Sequence, residues 1–127
     1  MEGATLGLAY GLKRFRDLGM NPTEIRLTGG GSKSSVWRQI AADCFNAEVV
    51  TLSTSEGAAL GGAIQAAYAH ANQSGTERVS YEQLCSKLVT LDESTRCKPN
   101  PENAALYAAQ LERQMELTGR LNQTGWL

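Results

Sequence analysis

Residues 27–38 read LTGGGSKSSVWR, with three consecutive glycines between a short apolar run and the start of a helical pattern. A glycine surrenders more backbone entropy on folding than any other residue. A triplet therefore implies a close approach to the backbone or a turn through positive φ. Working outward, residues 24–28, EIRLT, alternate polar and apolar and read as a strand. After the glycines Val36, Ile40, Ala41 and Cys44 share one face of a helix, and residues 48–52, EVVTL, read as a short buried strand. Strand, helix and strand in about thirty residues predict a parallel βαβ unit.

On the N-terminal side, residues 2–18 predict a helix with Leu8, Leu12 and Phe15 as its packing face, stopped by Gly19 and Pro22. Gly3, Gly7 and Gly11 lie four apart and predict close packing of another element along that helix. On the C-terminal side, Ser53 and Glu56 match a capping box opening a third helix, GAALGGAIQAAYAH, at residues 57–70. Gly57, Ala58, Ala59, Gly61, Gly62 and Ala63 leave its first two turns almost bare, while Leu60, Ile64 and Tyr68 form its packing stripe. Residues 71–79 read as a polar turn, residues 81–89 as a short helix, and Asp92 as a loop residue. Asn100 and Pro101 mark the start of a last helix, Glu102 to about Leu117, with Ala104, Ala108, Leu111 and Met115 on one face. Residues 119–127 read as a frayed end, with 120–127 expected as a flexible tail.

The 127 residues are 42% hydrophobic and 20% charged, the proportions of one soluble globular domain. Twelve Lys and Arg against thirteen Asp and Glu leave no basic field to attract a nucleic acid. No run approaches the length of an apolar membrane span, and no basic segment followed by an apolar core opens the chain. A cytoplasmic protein with neither nucleic-acid nor membrane partners is expected. Cys44, Cys85 and Cys97 form neither a CxxC pair nor a zinc set, so they are expected as reduced thiols, with Cys44 in the core.

The glycine stretch fails two familiar phosphate-binding patterns. Ser32 separates Gly31 from Lys33 and Arg26 holds the earlier glycine place of a P-loop; Ser34 stands where a dinucleotide fingerprint needs its third glycine. The physics beneath those patterns survives, because a glycine turn between a parallel strand and a helix offers free N–H groups at the carboxyl edge of the sheet. EGAALGGA follows the second strand and should emerge on that same edge. The two bare segments fit a flat ligand held between them, or else a tight turn and helix-on-helix packing. Lys33 reads as a solvated lysine, His70 as a helix-end cation and Trp37 as an anchor of the second helix.

LTGGGSKSSVWRQIAADCFNAEVV followed by SEGAALGGAIQAA resembles the C-terminal ATP-binding segment of the FGGY carbohydrate kinases, nearest in pattern to their xylulokinase branch. The resemblance joins the opening MEG, the glycine triplet, Ser-x-x-Trp-Arg-Gln, an Ala-Asp pair and EGAALGGA in order, over residues 1 to about 70. It implies an α/β fold: the C-terminal part of an actin-like, ribonuclease-H-like ATPase domain, a βαβ core with flanking helices. The family's first antiparallel strands would precede Met1, leaving a two-stranded sheet that invites self-association. It also implies ATP with Mg2+ as cofactor. Gly29, Gly30 and Gly31 would lie against the ribose and α-phosphate, Ser34 at the adenine edge, and Gly57 and Ala58, with Gly61 behind them, along the neighbouring wall. The catalytic aspartate, the metal ligands and most sugar contacts belong to parts of the family outside these residues, so no catalytic residue is expected here. The implied reaction is γ-phosphoryl transfer from ATP to a sugar hydroxyl, xylulose first, with glycerol, gluconate or another ketose as alternatives. An interaction module that binds no nucleotide is the competing class.

Overall fold

A computed structural model describes residues 1–73 and 78–126. Helix α1 (Glu2–Asp17) leads to strand β1 (Glu24–Leu27), a 3-10 turn (Gly30–Lys33), helix α2 (Ser35–Phe45) and strand β2 (Glu48–Leu52). Helices α3 (Gly57–Gln73) and α4 (Tyr81–Leu88), strand β3 (Leu91–Cys97) and helix α5 (Pro101–Gln123) complete the order. Local chemistry sets these boundaries. The Ser34 hydroxyl accepts the Trp37 amide at the start of α2, and Asn46 ends that helix in the left-handed conformation, which Asn tolerates. Asn100 caps α5 through the amides of Glu102 and Asn103, with Pro101 at the first helical position as the sequence predicts. Ser80 and Gln83 form a reciprocal capping box on α4.

β1 and β2 run parallel, with Glu24 opposite Glu48 and Leu27 opposite Thr51, which bears out the βαβ expectation. The sheet nevertheless has three strands, in the order β1-β2-β3. β3 pairs antiparallel to β2 and corrects both the two-stranded expectation and the placing of Asp92 in a loop. Its pairing is irregular: Cys97 lies opposite Val49 while Asp92 lies opposite Thr51. The Thr95 hydroxyl restores the interrupted ladder by accepting the Thr51 amide at 3.0 Å and donating to the Asp92 carbonyl at 2.7 Å. Arg96 then bridges the three strands, donating to Glu24 at 2.9 Å, Glu48 at 3.0 Å and Glu93 at 2.6 Å. Its guanidinium offsets the like charges that the register sets side by side.

One face of the sheet carries α1, α2 and α5. Ala9, Ala41, Ala42, Phe45, Ala47, Val49 and Leu111 form the core there, joined by partly buried Leu6, Leu12, Ile25, Leu27 and Met115. Val50, next to Val49 and turned to the other side by strand alternation, is also fully buried. The core faces of two helices differ from expectation. On α1 the buried residues are Thr5 and Ala9, while Leu8 and Phe15 are exposed. On α2 they are Ala41, Ala42, Asp43 and Phe45, while Val36 is exposed and Cys44 only half-buried. Gly3, Gly7 and Gly11 have open space where a Cβ would stand, so among the described residues no element packs on them.

Asp43 ties the layers together. Its carboxylate accepts from Gln39 Nε2 at 2.8 Å, the Asn100 amide at 2.8 Å and Asn103 Nδ2 at 2.9 Å, which locks α2 to the start of α5. Arg16 of α1 donates to the Phe45 carbonyl at 2.6 Å and closes the C-terminus of α2. The remaining boundaries are shifts. Helix α3 starts at Gly57, with Ser55 Oγ on the Glu56 carboxylate in place of the expected Ser53 capping box, and it runs past His70 to Gln73. Helix α5 continues from the expected Leu117 to Gln123. Of the expected polar turn at 71–79, residues 74–77 lie outside the described residues, as does Leu127 of the expected tail.

Candidate functional site

The three glycines of the turn answer to different constraints. Gly29 adopts φ 86° and ψ −174°, a region essentially restricted to glycine. A Cβ on Gly31 would stand 2.6 Å from the Trp37 ring, so the indole fills the place of a side chain. Around Gly30 nothing lies within 4 Å of that position, and the residue is exposed. Trp37 itself is fixed by its Nε1 donating at 2.9 Å to the hydroxyl of fully buried Thr5, which bears out its reading as an anchor between α2 and α1. Ser32 is buried within the turn, and its hydroxyl donates to the Gly29 carbonyl at 2.7 Å. Arg38, one turn into α2, reaches back and donates to the Ser32 carbonyl at 2.8 Å.

The second wall is the start of α3. A Cβ on Gly57 would stand 2.7 Å from Thr28 Oγ1, and that hydroxyl reaches the Ser55 carbonyl at 3.4 Å. Thr28 therefore sits between the end of β1 and the beginning of α3, bringing the two bare segments together at the carboxyl edge of the parallel pair. Beyond that contact Ala58, Ala59, Gly61, Gly62 and Ala63 are exposed, with open space at both glycines. The amides opening α3 precede its first internal bond, from Leu60 N to the Glu56 carbonyl, and form the positive end of the helix. Bare backbone, free amides and a shallow step between two elements can receive the edge of a flat, anionic ligand.

Among the sequence-predicted residues, Gly29, Gly30 and Gly31 lie in the turn, Ser34 caps the helix that follows it, and Gly57 and Ala58 open the second wall. Thr28 and Arg38, which organise the two walls, were not singled out from sequence. The threonine immediately before the triplet was the available signal for the first. Lys33 and His70 are exposed, His70 in the last turn of α3. Burial, with Asp43 beside it, pushes the Cys44 thiol up to about 11, so it stays protonated at neutral pH and is no nucleophile. Among the described residues no group of three or more His, Cys, Asp or Glu could hold a metal ion. Grooves of about 600 Å³ lie elsewhere. One is beside Arg16, Asn46 and Lys98; the other runs between α1 and α5 over Gly7, Tyr10 and Met115.

The segment carrying both walls matches a known domain: residues 1–70 fit the C-terminal domain of the FGGY family of carbohydrate kinases. The chain belongs to this family. It is 47% identical over 115 residues to the xylulose kinase of Haemophilus influenzae, an alignment that takes in 91% of this chain and 22% of that protein. The crystal structure of xylulose kinase from Rhodospirillum rubrum superposes with a TM-score of 0.73 over 97% of this chain and 24% of that one, at 24% identity, and establishes the fold. Gluconate kinase from Lactobacillus acidophilus superposes with a TM-score of 0.65 at 27% identity, covering 80% of this chain and 19% of that one. The α/β architecture is thus that of the FGGY kinases, the C-terminal part of an actin-like ATPase domain, and the chain spans about a fifth of the length of the relatives it matches. Among the described residues no helix is long and apolar enough to cross a membrane.

Proposed function

We propose that this chain supplies the nucleotide-facing wall of an ATP-dependent kinase that phosphorylates a sugar hydroxyl, with D-xylulose as substrate and xylulose 5-phosphate as product. The observation that carries the reading is the pairing of two bare segments at one sheet edge: the turn at Gly29–Gly31 and the opening of α3, drawn together where Thr28 meets Gly57. The nucleotide rests against Gly30 and the amides around it, with Ser34 toward the adenine and Gly57, Ala58 and Gly61 along the other side. The fit rests on exposed backbone with no side chain over it at Gly30, Gly61 and Gly62. Mg2+ held by the phosphates, with carboxylates from outside these residues, would neutralise the charge that develops as the γ-phosphoryl group moves. The catalytic base and the sugar contacts lie outside these residues, and the reaction is cytoplasmic.

What this chain contributes is position and partial charge. The turn's amides and the N-terminus of α3 need no reorganisation when an anion arrives, because Ser32, Arg38 and Thr28 already hold them. Substrate identity is supported by the 47% identity to a xylulose kinase. A second reading, a sugar acid such as gluconate, draws on the likeness to gluconate kinase.

Titration calorimetry of ADP and ATP into the chain, beside Gly30→Val, tests the wall. Saturable binding is expected for the parent sequence and its loss for the variant, whose side chain enters open space and leaves the fold intact. At a hundred times its dissociation constant the nucleotide should add about 2.7 kcal/mol of stability. A Gly30→Val chain that binds ADP as tightly as the parent overturns the assignment.

A further inference from the structure

The charge of Arg38, as distinct from its grip on the turn, is the feature of this edge that the nucleotide wall does not yet use. Its Nη1 donates to the Ser32 carbonyl at 2.8 Å, and Ser32 in turn bonds the Gly29 carbonyl through its hydroxyl at 2.7 Å and its amide at 3.2 Å. The guanidinium therefore holds the same turn whose backbone is bare at Gly30. The side chain is half-buried, and its Nε is buried with no hydrogen-bond partner. The ion pairs of the described residues engage Arg14, Arg26, Arg96, Arg120 and two lysines, and none of them involves Arg38. A guanidinium is always charged, and placing one half-buried against a single backbone carbonyl without a carboxylate carries a desolvation cost that an arriving anion would offset. A bare clamp of the turn would need only a neutral donor.

We infer that Arg38 is a positioning residue of the nucleotide wall, holding the Gly29–Lys33 turn in shape through the Ser32 carbonyl while its unneutralised charge makes the turn prefer phosphorylated nucleotides to the nucleoside. The inference rests on the nucleotide reading above and gives it a specific discriminator. Adenosine and ADP share the base and ribose, so a contact that merely shapes the pocket weakens both alike. A cation beside the turn acts on ADP alone, and the selectivity is where its effect appears.

Two measurements on Arg38→Met and Arg38→Lys, with circular dichroism as the check of folding, decide it. The first compares backbone amide chemical shifts of Gly29–Lys33 by NMR without any ligand. Arg38→Met should move them and Arg38→Lys, which keeps a cationic donor, should restore most of the change. The second is the ratio of ADP to adenosine affinity by calorimetry at two salt concentrations. Arg38→Met should lose roughly tenfold in that ratio, the scale of one charge acting across a partly desolvated gap, while Arg38→Lys keeps most of it. Unmoved amides in Arg38→Met overturn the inference, as does an equal loss of ADP and adenosine. If the parent chain takes neither ligand, the nucleotide reading fails with them, and the amide comparison still decides whether Arg38 shapes the turn.

Discussion

Asp43→Ala tests whether one buried carboxylate holds the helical layer in register. Asp43 is 3% exposed and accepts three hydrogen bonds, two on Oδ1 from Gln39 and the Asn100 amide and one on Oδ2 from Asn103. Hydrogen bonds to an ionised group contribute about 1.5–3 kcal/mol each, so a simple sum would be roughly 4.5–9 kcal/mol. That sum is too high, because the residues donating the bonds are themselves partly or fully exposed and can turn to water. A loss of about 3 kcal/mol follows, a large share of the roughly 5–15 kcal/mol typical of a domain. Asp43→Asn keeps Oδ1 with its two donors, and the Asn103 amide can rotate to offer its oxygen, so about 1 kcal/mol is expected. In urea, with a slope of about 2 kcal/mol/M, the alanine variant should move the midpoint down by roughly 1.5 M and the asparagine variant by about a third as much. Asp17→Ala, which removes only surface pairs to Lys13 and Arg14, is the control. A midpoint for Asp43→Ala no lower than that of the control, at equal slope, would refute the reasoning.

Three further outcomes follow from the same geometry. Gly31→Ala drives a Cβ into the Trp37 ring and should cost about 1–3 kcal/mol, with a changed indole fluorescence, while Gly30→Ala stays within about 0.5 kcal/mol in a thermal melt. Gly57→Ala collides with Thr28 Oγ1, so a double-mutant cycle with Thr28→Ala should return a favourable coupling of about 1 kcal/mol; strict additivity would remove Thr28 as the spacer. Arg96 holds the Glu24 and Glu93 carboxyls below their usual 4.5 through hydrogen bonds, with Arg26 the larger influence on Glu24. Depressed folded pKa values contribute stability that is present above the unfolded pKa and lost as pH falls through the folded ones. Urea midpoints should therefore drop below about pH 4.5 more steeply in the parent chain than in Arg96→Met.

The βαβ unit was legible because its signals are local and mutually consistent: alternation in EIRLT, β-branched residues in EVVTL, and Asn100-Pro101 opening the last helix. Strand β3 was not. LDESTRC has Leu91 and Cys97 at its ends and five polar or charged residues between, a composition with no strand period. It becomes a strand through tertiary substitutions, the Thr95 hydroxyl standing in for a backbone acceptor and Arg96 spanning Glu24, Glu48 and Glu93. The inward face of α1 was misread for a different reason. Leu8 and Phe15 outweigh Thr5 and Ala9 on any hydrophobic scale, yet the helices meet through the smaller stripe, where Thr5 takes the Trp37 indole N–H and Ala9 joins Ala41 and Ala42 in the core. Size ranks residues for burial only when packing distance is free to adjust. Here a long-range hydrogen bond between residues 5 and 37 fixes which stripe faces inward, and no local pattern encodes it.

The same separation sorts the glycines, and it sharpens where a ligand can be sought. Gly29 is explained by its backbone angles, Gly31 by Trp37 and Gly57 by Thr28; each is accounted for by this chain alone. Gly30, Gly61 and Gly62 have neither positive φ nor a neighbour at the Cβ position. Within α3, two glycines without a packing reason cost about 1 kcal/mol each against alanine, a cost that the proposed nucleotide wall would explain by needing the backbone uncovered. Substitutions at the first group should therefore register in stability before any ligand is added. Substitutions at the second should leave stability level at Gly30 or, at Gly61→Ala and Gly62→Ala, raise it by up to about 1 kcal/mol, and register in nucleotide affinity. A chain in which both groups behave alike would mean that the glycine-rich edge serves packing only, and the nucleotide wall would have to be sought on another surface.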